Sequence, residues 1–186
     1  MERGTATARK VMVVAEPGRE SAGALQWALS HAILKNDELI LLHVQNPASW
    51  RTSFSTFLKR PASHVAALAT EAIGELEFLE EMKNLCEAAQ PKVRVHIEKV
   101  EMEGKDKATT ILFQTMVHSI DLLVIGQRRS LSTALLGRSG GSTRGTDTAE
   151  YLIENSKCTC VGVQKKGQNA GYLLNTKTHK NFWLLA

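Results

Sequence analysis

The chain has 186 residues, of which 43% are hydrophobic and 23% are charged. That length suits a single domain with one core, and the composition is typical of an ordinary globular protein, which excludes a disordered, collagen-like or membrane chain. The net charge of +4 is small and scattered, so it excludes a protein built to bind nucleic acid.

The sequence shows neither a signal for export nor a cysteine pattern for disulfide bonds. The first ten residues are polar and lack the apolar stretch of a secretory signal, and no apolar run is long enough to cross a bilayer. We therefore expect a cytoplasmic protein, with the nucleus as an alternative, and no contact with a membrane. Cys86, Cys158 and Cys160 form no CxxC pair, so we expect reduced thiols and neither a disulfide framework nor a zinc site.

Buried strands and amphipathic helices alternate along the first half of the chain. Residues 10–15 and 38–44 are apolar runs without alternation, which is typical of strands buried on both faces of a parallel sheet. Between them, apolar positions recur at helical spacing over 24–35. Residues 48–63 have no clear period, and the apolar stripe over 63–89 predicts a second helix.

The same alternation continues in the second half. The predicted elements are, in order, a strand over 93–102, a helix over 104–119, a strand over 121–126, a glycine-rich loop over 127–145, a helix over 147–155 and a strand over 158–164. The alternation predicts a Rossmann-like, doubly wound α/β fold, with a five-stranded parallel sheet of order 3-2-1-4-5 and helices on both faces.

The expected domain bounds and the strand order together indicate where a ligand site lies. We expect a flexible N-terminus over 1–9, one domain over 10–166 and a C-terminal extension over 167–186. In such sheets, ligands bind beyond the carboxyl ends of the strands, where the strand order reverses. That point lies between the first and the fourth strand.

Gly145 and Thr146 lead from the glycine-rich loop into the helix over 147–155. Free backbone N–H groups and the positive end of the helix could hold a phosphate there. Alternatively, Asp147 caps the helix, Glu150 completes a capping box, and the glycines are flexible surface. The charge of Asp147 opposes an anion, and four arginines could offset it: Arg128, Arg129, Arg138 and Arg144.

Three other features allow alternative interpretations. Glu16, after the first strand, could accept a hydrogen bond from an adenine amine or a ribose hydroxyl, or could only decorate a turn. His43, in a buried strand, is expected to be a satisfied core histidine. An arginine precedes a serine by three residues at Arg60 and Arg129, a pattern that a basophilic kinase can use, although unmodified serine is the expected state.

Taken together, these residues resemble the universal stress protein family, in the adenine nucleotide alpha hydrolase-like superfamily. The resemblance rests on the first strand with Glu16, the end of the second strand at Val44, the fourth strand ending in Gly126, and the glycine-rich loop. It covers roughly residues 10–165, and the closing run over 148–163 is similar to plant members. It implies an adenine nucleotide as ligand, ATP or AMP, with Mg²⁺ where the ligand is ATP.

ATP-binding members carry a G-x-x-G motif after the fourth strand, followed by a nine-residue spacer and G-(S/T). Gly126 matches the first glycine, and Gly145 with Thr146 resembles the last pair. Arg129 stands at the place of the second glycine, and the spacer is longer than in the family pattern. An alternative register uses Gly140, Gly141 and Ser142.

The resemblance also assigns roles at the strand ends. Glu16 matches an aspartate that contacts the nucleotide, and Val14 and Val44 match positions that line the adenine pocket. The implied nucleotide-binding set is Val14, Ala15, Glu16, Val44, Ile125, Gly126, Arg129, Gly140, Gly141, Ser142, Gly145, Thr146 and Asp147.

Family members often pair their last strands edge to edge, so the resemblance implies a homodimer through residues 160–164. The leading hypothesis is a nucleotide-responsive signalling module whose occupancy alters a surface for a protein partner, without catalysis. The alternatives are a slow ATP hydrolase, and a family member without nucleotide binding that acts as a dimeric partner-binding scaffold.

Overall fold

A computed structural model of the chain describes residues 8–45, 64–102, 106–128, 147–167 and 171–184. The strands are β1 (Lys10–Val14), β2 (Glu38–Gln45), β3 (Arg94–Glu101), β4 (Leu122–Gly126), β5 (Thr159–Lys165), β6 (Tyr172–Asn175) and β7 (Phe182–Leu184). The helices are α1 (Arg19–Trp27), which continues as a π-helix over Ala28–Ala32, α2 (His64–Ala89), α3 (Lys107–Val117) and α4 (Thr148–Asn155).

All seven strands form one sheet of order β3-β2-β1-β4-β5-β6-β7. The first five in chain order pair in parallel, which confirms the predicted order 3-2-1-4-5. The predicted number of five strands is wrong, because β6 and β7 extend the sheet as an antiparallel hairpin. Strands of four and three residues are too short to show a clear period in the sequence.

The outer edge of β5 is covered by the same chain. Gly162 lies opposite Asn175, and Lys165 lies opposite Tyr172, so β6 takes the place expected for a second copy. β5 therefore has no free edge for the predicted edge-to-edge pairing through residues 160–164, because it is paired on both sides, by β4 and by β6. The homodimer itself stays a prediction.

Alternate residues of β1 pack on opposite faces of the sheet. Val11 and Val13 join the core that contains α1 and α2 residues, whereas Met12 and Val14 join the core beneath α3 and α4. Since each of these side chains is almost fully buried, each contributes about 1.5–3 kcal/mol through removal of apolar surface from water. This arrangement places helices on both faces, as predicted.

The two helices on the α3 and α4 face begin at aspartate caps. Asp106 accepts hydrogen bonds from the backbone N–H groups of Ala108 and Thr109 at 3.1 and 3.2 Å. Asp147 accepts one from the N–H of Ala149 at 3.2 Å, which confirms the predicted cap. Within the described ranges, no helix is both long and apolar enough to span a membrane.

Candidate functional site

A small cleft opens at the carboxyl ends of β1 and β4, where the strand order of the parallel sheet reverses. We call it the switch-point cleft, and its volume between the described residues is about 40 Å³. Its lining comprises Val14, Glu16, Pro17, Gly18, Glu20, Ser21, Ile125, Gly126 and Arg128. Four predicted site residues therefore meet in one place: Val14, Glu16, Ile125 and Gly126.

The loop between β1 and α1 is held by a buried serine. Ser21 Oγ donates to the carbonyl oxygen of Val14 at 2.9 Å and accepts from the N–H of Glu16 at 3.0 Å. Ala15 N–H donates to the carbonyl of Leu42 at 2.7 Å, which extends the β1–β2 ladder by one residue. These bonds fix the backbone from which the Glu16 side chain projects. Sequence reasoning missed Ser21, since a serine in a first helical turn carries no distinctive signal.

Glu16 is paired with a residue that the sequence did not suggest. Lys107 Nζ, at the start of α3, donates to Glu16 Oε1. Both side chains are partly exposed, at 30% for Lys107 and 43% for Glu16. The pair joins the loop after β1 to α3, and it neutralises the carboxylate that was predicted to meet a nucleotide.

Gly126 has a packing reason to be glycine. A Cβ atom built on it would overlap the main-chain carbonyl group of Glu20 and lie 2.8 Å from the N atom of Ser21. The first turn of α1 thus lies directly against the end of β4, which leaves no room for a side chain. This contact accounts for Gly126 independently of any ligand.

The apolar members of the predicted site lie in the core. Val14, Val44 and Ile125 are at most 6% exposed and belong to the core beneath α3 and α4. Val44 does not line the cleft, and neither does Asp147, which caps α4. Six further predicted site residues lie outside the described residues: Arg129, Gly140, Gly141, Ser142, Gly145 and Thr146. Arg138 and Arg144, two of the arginines expected to offset the charge of Asp147, lie outside them too.

Behind the cleft, Ala15 is fully buried and its carbonyl oxygen meets a histidine. His43 Nδ1 lies 2.8 Å from that oxygen, which assigns the ring proton to Nδ1. The ring packs edge-on against Phe78, 5.3 Å between centroids. Its Nε2 atom is buried without a hydrogen-bond partner in the described part of the chain, so the prediction of a satisfied core histidine is wrong for that atom.

The described residues contain no group of three or more metal-ligating side chains. They define a doubly wound α/β protein with a polar cleft at its switch point. Residues 7–164 match the universal stress protein family, so the chain belongs to that family. No match was found among curated proteins.

Three solved structures share the fold at 20% sequence identity or less. The hypothetical protein MJ0577 aligns with a TM-score of 0.57 and 20% identity, over 88% of this chain and 100% of its own. A universal stress protein in complex with cAMP aligns with a TM-score of 0.54 and 16% identity, over 84% and 97%. Universal stress protein UspA from Lactobacillus plantarum aligns with a TM-score of 0.52 and 16% identity, over 84% and 98%.

Proposed function

We propose that this chain is an adenine-nucleotide-responsive binding module of the universal stress protein family, with its site at the switch-point cleft. The observation that carries the proposal is the loop after β1, which a hydrogen bond to Ser21 holds in place. This loop presents the Glu16 carboxylate at the carboxyl ends of the strands, where α/β sheets bind ligands. The structure of a family member in complex with cAMP adds support.

In this proposal Glu16 accepts a hydrogen bond from a ribose hydroxyl or an adenine amine. To do so it exchanges its partner Lys107, whose ammonium is then available to a phosphate. The exchange is inexpensive, because ion pairs between exposed side chains stabilise a protein by about 1 kcal/mol or less.

The cleft is smaller than a nucleotide needs, so the proposal requires a conformational change on binding. Small-molecule sites usually enclose roughly 300–1,000 Å³, far more than the 40 Å³ between the described lining residues. In this proposal a nucleotide displaces groups around the cleft. The described groups that border it lie on the loop after β1, in the first turn of α1 and at the end of β4. Lys107 ties the start of α3 to the same loop through Glu16. Such a displacement is how occupancy would alter a surface for a protein partner.

Calorimetric titration and thermal melting with AMP, cAMP and ATP plus Mg²⁺ test this function. A ligand at about 100 times its Kd stabilises the folded state by about 2.7 kcal/mol, which raises the Tm of a chain of this size by about 5 to 10 °C. Glu16→Gln keeps the shape of the side chain but removes its charge, so we expect weaker binding. Glu77→Gln, on the exposed side of α2, is the matched control and should bind like the wild type.

A second candidate function is a partner-binding scaffold that has lost nucleotide binding. The small cleft and the Glu16–Lys107 pair favour it, since together they fill and neutralise the expected site. No heat and no change in Tm at millimolar nucleotide would support the scaffold and remove the first proposal. Phosphate release from ATP that Glu16→Ala abolishes would instead support a hydrolase.

A further inference from the structure

A second, larger cavity lies on the other side of the first turn of α1. It occupies about 650 Å³ between α1 and the carboxyl ends of β4 and β5, which is within the usual range for small-molecule sites. Among the described residues, Glu20 is the one that lines both this cavity and the switch-point cleft. The polar side chains in its described lining are Arg19, Glu20, Gln26, Gln127, Gln164 and Lys165.

Two hydrogen bonds engage amide oxygens of the lining and leave several of its N–H donors without a partner among the described residues. Gln26 Oε1 accepts from Lys165 Nζ at 2.6 Å, and Gln127 Oε1 accepts from Asn175 Nδ2 at 2.6 Å. The NH₂ groups of both glutamines and two of the three N–H bonds of Lys165 are left without a partner among the described residues. A ligand that satisfies this lining must be rich in acceptors.

Arg19 adds a positive charge that the fold does not compensate. It is exposed, it makes no ion pair or hydrogen bond within the described ranges, and it is the first residue of α1, where no side chain caps the helix. The dipole of a helix disfavours a cation at this end and favours an anion. The exposed Arg19 guanidinium is therefore available to an anion in the cavity that it lines.

Gln164 adds a further carboxamide to the lining. It is only 9% exposed, it lines the cavity, and its carboxamide has no hydrogen-bond partner in the described chain. The described side-chain atoms that are both buried and unpartnered are Trp27 Nε1 and His43 Nε2, so the Gln164 amide still reaches the water of the cavity. A bound molecule that replaces this water must offer hydrogen-bond partners of its own to the amide.

We propose that this cavity binds a phosphomonoester of a small polar molecule. A phosphate offers three acceptor oxygens and a double charge, which match the Arg19 fork, the Lys165 ammonium and the carboxamide donors better than a carboxylate with two oxygens. Glu20 is the single acidic side chain in the described lining, and it can accept a hydrogen bond from a hydroxyl on the body of the ligand. The site does not depend on nucleotide binding at the switch-point cleft.

Calorimetric titration of the full chain with ribose 5-phosphate tests the site, with inorganic phosphate and ribose as the other two probes. We expect saturable binding of ribose 5-phosphate, weaker binding of phosphate and none of ribose. Arg19→Gln should weaken binding at least tenfold, about the loss of one charge-assisted hydrogen bond. Gln164→Leu, of similar volume, should also weaken it, whereas the exposed control Lys92→Gln should not.

Three results would overturn the site. They are no binding of either phosphate at millimolar concentration, equal binding of ribose, and unchanged affinity in Arg19→Gln. Binding that Glu16→Gln abolishes and Arg19→Gln leaves intact would assign the phosphate to the switch-point cleft, which separates this proposal from the proposed function. If Gln164→Leu fails to fold, the exposed Arg19→Gln carries the test alone.

Discussion

Replacing Gly126 by alanine measures how tightly α1 packs against the end of β4. The added Cβ would overlap the Glu20 carbonyl group and lie 2.8 Å from the N atom of Ser21. These are backbone atoms, so no change of rotamer relieves the overlap, and either the first turn of α1 or the end of β4 has to move. Overpacking of this kind costs about 1–3 kcal/mol.

Urea denaturation followed by circular dichroism measures the loss. With a dependence of about 1–3 kcal/mol per molar urea, a cost of about 2 kcal/mol lowers the midpoint by about 1 M. Gly23→Ala is the matched control, since its Cβ would lie 3.1 Å from the side-chain Cβ of Lys165, and alanine favours the helix by about 1 kcal/mol. We expect that control to remain within about 1 kcal/mol of the wild type.

Equal midpoints for Gly126→Ala, Gly23→Ala and the wild type would refute this reasoning. A confirmed loss has a consequence for ligand studies. Substitution at Gly126 displaces α1, so weaker nucleotide binding in such a variant does not identify a ligand contact. Glu16, which projects from a loop held by Ser21, is the better probe.

Three further predictions concern caps and buried groups. Asp106→Ala should lower stability by about 1 kcal/mol, whereas Asp106→Asn keeps the cap; equal loss in both would contradict a capping role. A hydrogen bond from Thr109 lowers the pKa of Asp106 below 3.8. The ionised carboxylate therefore stabilises the fold above pH 3.8, and this stabilisation is lost as the pH falls through the lowered pKa. Burial raises the pKa of Tyr172 above 10.0, so the stability of the fold decreases as the pH rises past 10. Ultraviolet titration of the tyrosines should show a second ionisation above pH 10 that Tyr172→Phe removes, and a single transition near pH 10 would count against the prediction. Burial raises the pKa of the Cys86 and Cys160 thiols to about 12, so both should react slowly with a disulfide reagent. We expect the reagent to modify one thiol quickly in the native protein and three after denaturation, and two or more fast thiols in the native protein would contradict this prediction. The slow pair is Cys86 and Cys160, and the reactive thiol is Cys158.

Much of the fold was predictable because its signals are local. The apolar runs of β1, β2 and β4 are continuous since these strands are buried on both faces of the sheet. The cap at Asp147 was predictable for a similar reason, because a capping side chain bonds N–H groups within three residues of itself.

The candidate site was predictable only in part. Strand order alone placed Glu16 and Gly126 at one cleft, and the structure confirms that they meet. Lys107 lies 91 residues from Glu16 along the chain, and no local pattern marks the pairing. The same holds for Gln164, whose free carboxamide becomes apparent only once its burial is known.

By itself, the sequence determined which segments form the first five strands and the helices between them, the parallel order of those strands and the edge of the sheet where a site should lie. Periodicity and caps act over a few residues, so they are legible in a single chain. Only the tertiary structure decided that β6 covers β5, that Lys107 neutralises Glu16 and that α1 leaves Gly126 no room for a side chain. These outcomes depend on atoms brought together from distant parts of the chain, and their geometry exists only after the sheet has formed.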